Sequence, residues 1–166
     1  MELSLLLDLI TAVAVVLGIL FGLLQLRHYH LSREQEADLF LLNSFQTGEF
    51  FQGILIIHEL PNELTKSEIE DRVGDEIRLV YLVMSTWDSI GILVFKHEVS
   101  IDMVIDAYSG SIVISWQRLK TYVADLREDL QRQTTFEWFQ WLAERTLERE
   151  NDQPPLPAHL AFRNWE

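Results

Sequence analysis

Residues 65–95 read TKSEIEDRVGDEIRLVYLVMSTWDSIGILVF, and one apolar stripe runs the length of that stretch. Ile69, Val73, Ile77, Val80, Met84, Trp87, Gly91 and Val94 recur at steps of 4, 4, 3, 4, 3, 4 and 3. That spacing puts side chains on one face of an α-helix packed in a bundle. Leu79, Leu82, Val83, Ile90 and Leu93 widen the face and make this the central helix. Thr65 with Glu68, and Ser67 with Glu70, both have capping-box spacing, so the helix is expected to begin there, after the turn PNELTKSE. Gly91 in a helix interior costs about 1 kcal/mol relative to Ala. A close helix crossing at that point would account for it.

Outward from this segment, helix signals dominate and strand signals are poor. Upstream, a short and strongly apolar helix is expected near Glu49 to Leu60, ended by Pro61. Downstream, Ser100 is placed to cap a short helix from Ile101 to Tyr108, which Ser109-Gly110-Ser111 is expected to break. Ile112, Trp116, Leu119, Val123, Leu126 and Leu130 then follow at helical spacing. Thr134 and Glu137 form another capping-box pair, opening a last helix to about Arg149. The tail NDQPPLPAHLAFRNWE holds three prolines and reads as an extended arm. The expected architecture is all-α: an acidic helical bundle over residues 31–150, with residues 151–166 as a Pro-containing tail.

Residues 1–30 read as a transmembrane anchor. Leu9 to Leu26 is 18 residues without a charge, or about 27 Å of helix against a hydrocarbon core of about 30 Å. A cleavable signal peptide would need a basic leading segment and a small-residue cleavage site. Here the leading segment, MELSLLLD, is acidic, and the run ends in QLRHYH. Arg27 and Arg33 follow the span and no Lys or Arg precedes it. The positive-inside rule therefore puts the N-terminus outside and the domain in the cytoplasm. The helix is expected to continue past the membrane to about Phe45, since HYHLSREQEADLFLLNSF contains no Pro or Gly and the next glycine is Gly48. Ala14, Gly18 and Gly22 make a small-residue stripe that would let a second transmembrane helix approach, from a second copy or another subunit.

Charge and composition narrow the function classes. The chain carries a net −13, and from Arg27 onward 24 acidic residues face 13 basic ones. Nucleic acid as a partner is disfavoured, because phosphate binding needs a basic surface. With no cysteine, thiolate metal sites, disulfides and thiol nucleophiles are impossible. His28 and His30 point apart on a helix, and Asn62 stands where HExxH would need its second histidine after His58. No Glu-x-x-His pair, GxSxG, GxGxxG or P-loop occurs, so no metal, cofactor or catalytic group is expected. The carboxylates at Glu68, Glu70, Asp71, Asp75 and Glu76 lie mostly off the apolar stripe, as do Asp102 and Asp106, and read as solvated faces. Aromatics are the unusual feature. Phe136, Trp138, Phe139 and Trp141 crowd into FEWFQWL. At helical spacing Phe136 and Phe139 share one face, and Trp138, Trp141 and Leu142 another. One face must meet the core; the other is expected to meet a partner, the membrane interface or the helix extending from the membrane, and Phe162 and Trp165 in the tail are expected to dock on a neighbour.

The order of these features resembles a family of small bacterial membrane-anchored proteins carrying domain of unknown function 4760. The resemblance covers most of residues 5 to 145. It rests on the single span running into a helix, on Asp88-Ser89-Ile90-Gly91-Ile92-Leu93, on Ile101 to Tyr108, Trp116 and Arg127, and on the aromatic last helix around Phe136 to Leu142. It implies a fold and membrane attachment and no activity, and it would place the chain in a bacterial plasma membrane. The expected function is an interaction domain, an accessory or assembly subunit of a membrane complex that meets the bilayer and another transmembrane helix. The alternative is a ligand-sensing regulatory domain with a pocket near Trp87, Gly91 and Trp116. A hydrolase using carboxylates comes third.

Overall fold

In the computed structural model, residues 15, 17–22, 25, 47–154 and 156–164 are described, and among them all regular structure is helical. Helix α1 (Gly48–Glu59) starts at Thr47, whose hydroxyl accepts the Phe50 N–H at 3.3 Å. Its inner face carries Phe50, Gly53, Ile54 and Ile57. At α2 (Lys66–Val73) the capping box forms from Thr65 and Glu68, one of the two spaced pairs. The Thr65 N–H and hydroxyl both donate to Glu68 Oε2, at 2.8 and 2.7 Å. These bonds favour the ionised carboxylate and hold the Glu68 pKa below its ordinary value. Asp125 accepts the Lys66 N–H at 2.8 Å, which ties this helix start to the long helix described below.

The central stripe does not belong to one unbroken helix. Gly74 takes φ +57° and ψ −131°, a conformation open to glycine alone, and a 3-10 turn over Gly74–Glu76 separates α2 from α3 (Ile77–Phe95). Gly74 and Asp75 are both poor helix formers, which gives the chain little reason to stay α-helical there. Together Lys66–Phe95 is long and apolar enough to cross a membrane by length and composition, but half of that window is buried inside the protein. A core helix meets the same two criteria, and Val80, Val83, Met84, Trp87 and Ile90 are fully enclosed by neighbouring helices.

The break expected at Ser109–Ser111 is absent. Helix α4 runs without interruption from Ile101 to Asp129. Gly110 is exposed on it with open space around its Cα. Burial of Val104 before it and of Ile112, Leu119, Tyr122 and Val123 after it outweighs a local glycine cost of about 1 kcal/mol. Helix α5 (Glu137–Asp152) follows, and one turn, α6 (Ala158–Ala161), lies in the tail where only an extended arm is expected. Its last bond runs from the Phe162 N–H to the Ala158 carbonyl at 2.9 Å.

α3 lies at the centre, packed by α1 and by α5, with α4 closing against both. Trp87, Tyr122, Phe139 and Met84 are completely buried. Two glycines set the closest approaches. A Cβ on Gly53 would stand 2.7 Å from both the Leu79 carbonyl oxygen and Val83 Cγ2. One on Gly91 would stand 2.9 Å from the Trp138 carbonyl carbon and closer still to its oxygen. The close crossing expected at Gly91 is therefore present, with α5 as the crossing helix.

Candidate functional site: the aromatic helix and its joint

Helix α5 has no local cap. The residue before it, Phe136, sits in the left-handed region at φ 53°, ψ 37°, and offers no side-chain acceptor. Thr134 and Glu137 do not form the expected capping box; Thr134 contributes its carbonyl, to the Glu137 N–H at 3.4 Å. The cap comes instead from another helix. Asp88 Oδ1 on α3 accepts the N–H groups of Trp138 and Phe139, both at 3.0 Å. A carboxylate there satisfies two otherwise unmatched donors and meets the positive end of the helix dipole. One turn along α3, Gly91 provides the space for the Trp138 backbone.

Arg127 secures the other side of the joint. From the last turn of α4 its Nε donates to the Thr135 carbonyl at 2.9 Å and its Nη1 to Gln140 Oε1 at 2.8 Å. Nη2 reaches the Phe136 carbonyl at 3.5 Å. The Phe136 ring packs on Tyr81 at 6.2 Å between centroids. A left-handed non-glycine residue costs roughly 1–2 kcal/mol, and these contacts offset it. Ser89 has no part in the joint, since its hydroxyl turns back to the Ser85 carbonyl at 2.8 Å.

Held this way, α5 turns Phe139, Leu142, Ala143 and Thr146 inward. Phe139 meets Trp116 edge-on at 5.2 Å. Leu142 thus belongs with the core face and not with Trp138 and Trp141, as its spacing alone suggests. Trp138 and Trp141 remain half-buried and form a trio with Phe95, which is 54% exposed. The ring separations are 4.8 Å for Phe95–Trp138, 6.0 Å for Phe95–Trp141 and 6.0 Å for Trp138–Trp141. Sequence reading did not single out Phe95, which terminates the central helix and stands in no motif.

Beside the trio is a cleft of about 530 Å3 lined by Val94, Phe95, His97, Val99, Ser100, Ile101 and Trp141. The connection beneath it is a Schellman turn: the Glu98 N–H meets the Leu93 carbonyl at 2.9 Å and the His97 N–H meets that of Val94 at 3.0 Å. His97 occupies its left-handed position at φ 56°. Ser100 is the N-cap residue of α4, but its side chain makes no capping bond. Among the described residues the place expected for a pocket near Trp87, Gly91 and Trp116 is filled: Trp87 is fully buried, the Trp138 backbone closes on Gly91, and Trp116 meets Phe139 edge-on.

The remaining candidates lie apart. Gly18 and Gly22 are in described helix, and a Cβ on either would meet nothing within 4 Å. Ala14 and Trp165 lie outside the described residues. Phe162 is 63% exposed in the tail. Among the described residues no Asp or Glu is fully buried, and no cluster of three His, Asp or Glu side chains could hold a metal ion. Asp102 pairs with Arg149 at 2.6 Å. His58 is kept below its ordinary pKa by burial and then by the field of Arg118, and His58 Nε2 and Arg118 Nε are both enclosed without a hydrogen-bond partner. Tyr122 donates to Glu70 at 3.2 Å, and burial raises its pKa.

No curated protein and no solved structure shows significant similarity to this chain. A family model described as a domain of unknown function matches residues 12–146, which run from within the apolar N-terminal segment to the last buried residue of α5. Because that match covers most of the chain, the chain belongs to the domain of unknown function 4760 (DUF4760) family.

Proposed function

We propose that the chain is a single-pass membrane protein whose helical domain serves as an interaction module, an accessory or assembly subunit of a membrane complex. The supporting observation is the character of residues 9–26. They carry no charge, and Val15, Leu17, Ile19, Leu20 and Phe21 stand 51–68% exposed in helical conformation. At about 100° per residue these five side chains point all round the helix. A helix apolar on every side has no stable place in water and is at home in lipid. The open approach to Gly18 and Gly22 suits a second helix in the bilayer. The half-exposed Phe95, Trp138 and Trp141 offer the domain's partner surface, with the N-terminus outside and the domain in the cytoplasm.

The test is fractionation and mass. The full chain should remain in the membrane pellet after alkaline washing. In mild detergent it should run as an oligomer or with a co-purifying subunit, and Gly18→Leu with Gly22→Leu should dissociate it. Release by alkali, or a strict monomer unaffected by both substitutions, would refute the reading.

The cleft beside Trp141 favours a second reading, a ligand-sensing domain. Its volume falls in the range of about 300–1,000 Å3 typical of small-molecule sites. Ligand-induced thermal stabilisation abolished by Val99→Trp would support it, and a ligand screen without any such response would count against it.

A further inference from the structure

The cleft beside Trp141 has two chemically distinct parts. Val94, Phe95, Val99, Ile101 and Trp141 give it apolar walls. Val94 and Val99 are buried and belong to the core, whereas Phe95 is exposed. His97 and Ser100, both exposed, supply the polar lining. No Asp or Glu lines the cleft.

The polar part coincides with the start of α4. Ser100 is the N-cap residue, extended at φ −69°, ψ 128°, and its hydroxyl makes no capping bond. The Val104 N–H is the donor that meets the Ser100 carbonyl, at 3.2 Å. The N–H groups of Ile101, Asp102 and Met103 come before that bond, so they have no acceptor within the helix. They carry the positive end of the dipole of a 29-residue helix. Two carboxylates stand near, and neither faces the cleft. Asp102 is paired with Arg149 at 2.6 Å, and Glu98 is exposed on the connection next to Lys96.

The cavity and the helix end ask for different things. Apolar walls around about 530 Å3 favour hydrocarbon over water. Unmatched amides at a helix start favour a negatively charged acceptor. A bare inorganic anion would leave the walls wet. A sugar or nucleotide would press polar groups against Val99 and Trp141, where they find no partner. A hydrocarbon chain with one anionic end meets both demands.

We infer that the cleft binds a single-chain amphiphile ending in a carboxylate, a fatty-acid-like ligand. The head group lies at the first amides of α4, flanked by the Ser100 hydroxyl and His97, and the chain runs along Val99, Phe95 and Trp141. The inference rests on the ligand-sensing reading of this cleft and names its ligand class. A bound chain covers the Trp141 side of the aromatic trio, so occupancy changes the face that the domain offers to a partner.

The test uses the full chain in one non-ionic detergent, with ω-bromoundecanoate and the alcohol of the same length as probes, since bromine quenches tryptophan on contact. The acid should raise Tm and quench fluorescence saturably. Trp141→Phe should remove most of that quenching and keep the Tm response. The alcohol should bind at least about five-fold more weakly, because it brings no charge to the helix end. Ser100→Asp places a carboxylate where the head group sits. Asp is a good N-cap, so the ligand-free Tm should not fall. The same variant should weaken the acid at least about ten-fold and the alcohol less than about two-fold. Equal binding of acid and alcohol, or an acid affinity indifferent to Ser100→Asp, would overturn the carboxylate assignment and leave the ligand-sensing reading intact. No saturable response to the acid would also overturn it, and the sensing reading would then stand or fall on the wider ligand screen.

Discussion

Replacing Gly91 by alanine separates helix propensity from packing, because the two predict opposite signs. Glycine in a helix interior is about 1 kcal/mol worse than alanine, so propensity alone predicts that the variant gains stability. The structure predicts the reverse. The new methyl would lie 2.9 Å from the Trp138 carbonyl carbon, whereas carbon atoms pack at about 3.5–4.0 Å. The obstacle is backbone, so α5 must retreat by roughly 0.6–1 Å. That movement stretches the two 3.0 Å bonds from Trp138 and Phe139 to Asp88 beyond useful length. Overpacking costs about 1–3 kcal/mol, and one weakened bond to a charged acceptor about 1.5 kcal/mol more. After the gain in propensity, the net loss is about 1.5–3.5 kcal/mol, or a fall in Tm of roughly 3–14 °C. Gly110→Ala is the internal control. It lies in α4 with nothing within 4 Å of its added methyl and should stabilise by about 0.5–1 kcal/mol. Thermal or urea unfolding of both variants in the same detergent decides the matter. A Gly91→Ala variant as stable as the parent would refute the close crossing.

Further outcomes follow from the same geometry. Asp88→Ala removes the only cap of α5 among the described residues and should cost about 1–3 kcal/mol, with faster hydrogen exchange at the Trp138 and Phe139 amides; Asp88→Asn, which keeps an acceptor, should restore much of it. His97→Gly relieves a left-handed residue at a helix end and should stabilise by about 1 kcal/mol, measured by urea unfolding. His58 titrates below its ordinary value because burial and Arg118 oppose its charge, so the unfolded chain takes up its proton first. Its contribution is therefore absent above pH 6.5 and turns destabilising as pH falls through that value. His58→Gln should flatten the loss of Tm below pH 6.5, and an unchanged acid slope would show that His58 is not responsible.

Much of the bundle was legible because it is written in period and in caps. The stripe from Ile69 to Val94 is buried almost throughout, and the Thr65–Glu68 box forms as spaced. The failures share one cause. Ser109-Gly110-Ser111 reads as a breaker and Thr134 with Glu137 as a cap because local rules weigh a few residues at a time. In the structure, long-range contacts outweigh both: core burial along α4 carries the helix through Gly110, and an aspartate about 50 residues away caps α5. Gly74 errs in the opposite direction. Its stripe neighbours Val73 and Ile77 keep the phase, so periodicity conceals the change of backbone that its φ of +57° imposes.

Three of the residues that carry the family resemblance converge on one joint. Asp88 holds the first amides of α5, Gly91 admits its backbone, and Arg127 fastens the loop that leads into it. None of the three faces the cleft. Their combined effect is to fix where the aromatic helix starts and how it is rotated. That rotation sends Phe139 and Leu142 inward and leaves Trp138 and Trp141 beside Phe95 at the surface. If the joint existed merely for stability, a locally capped helix would serve equally well. A Ser or Asp in place of Phe136 could supply an acceptor to the same amides. Capping from a neighbouring helix does something that a local cap does not, because it locks α5 to α3 in one register. The joint is therefore best understood as a device for presenting a particular face, and chemistry or partner choice is to be sought on the Phe95–Trp138–Trp141 surface and its cleft.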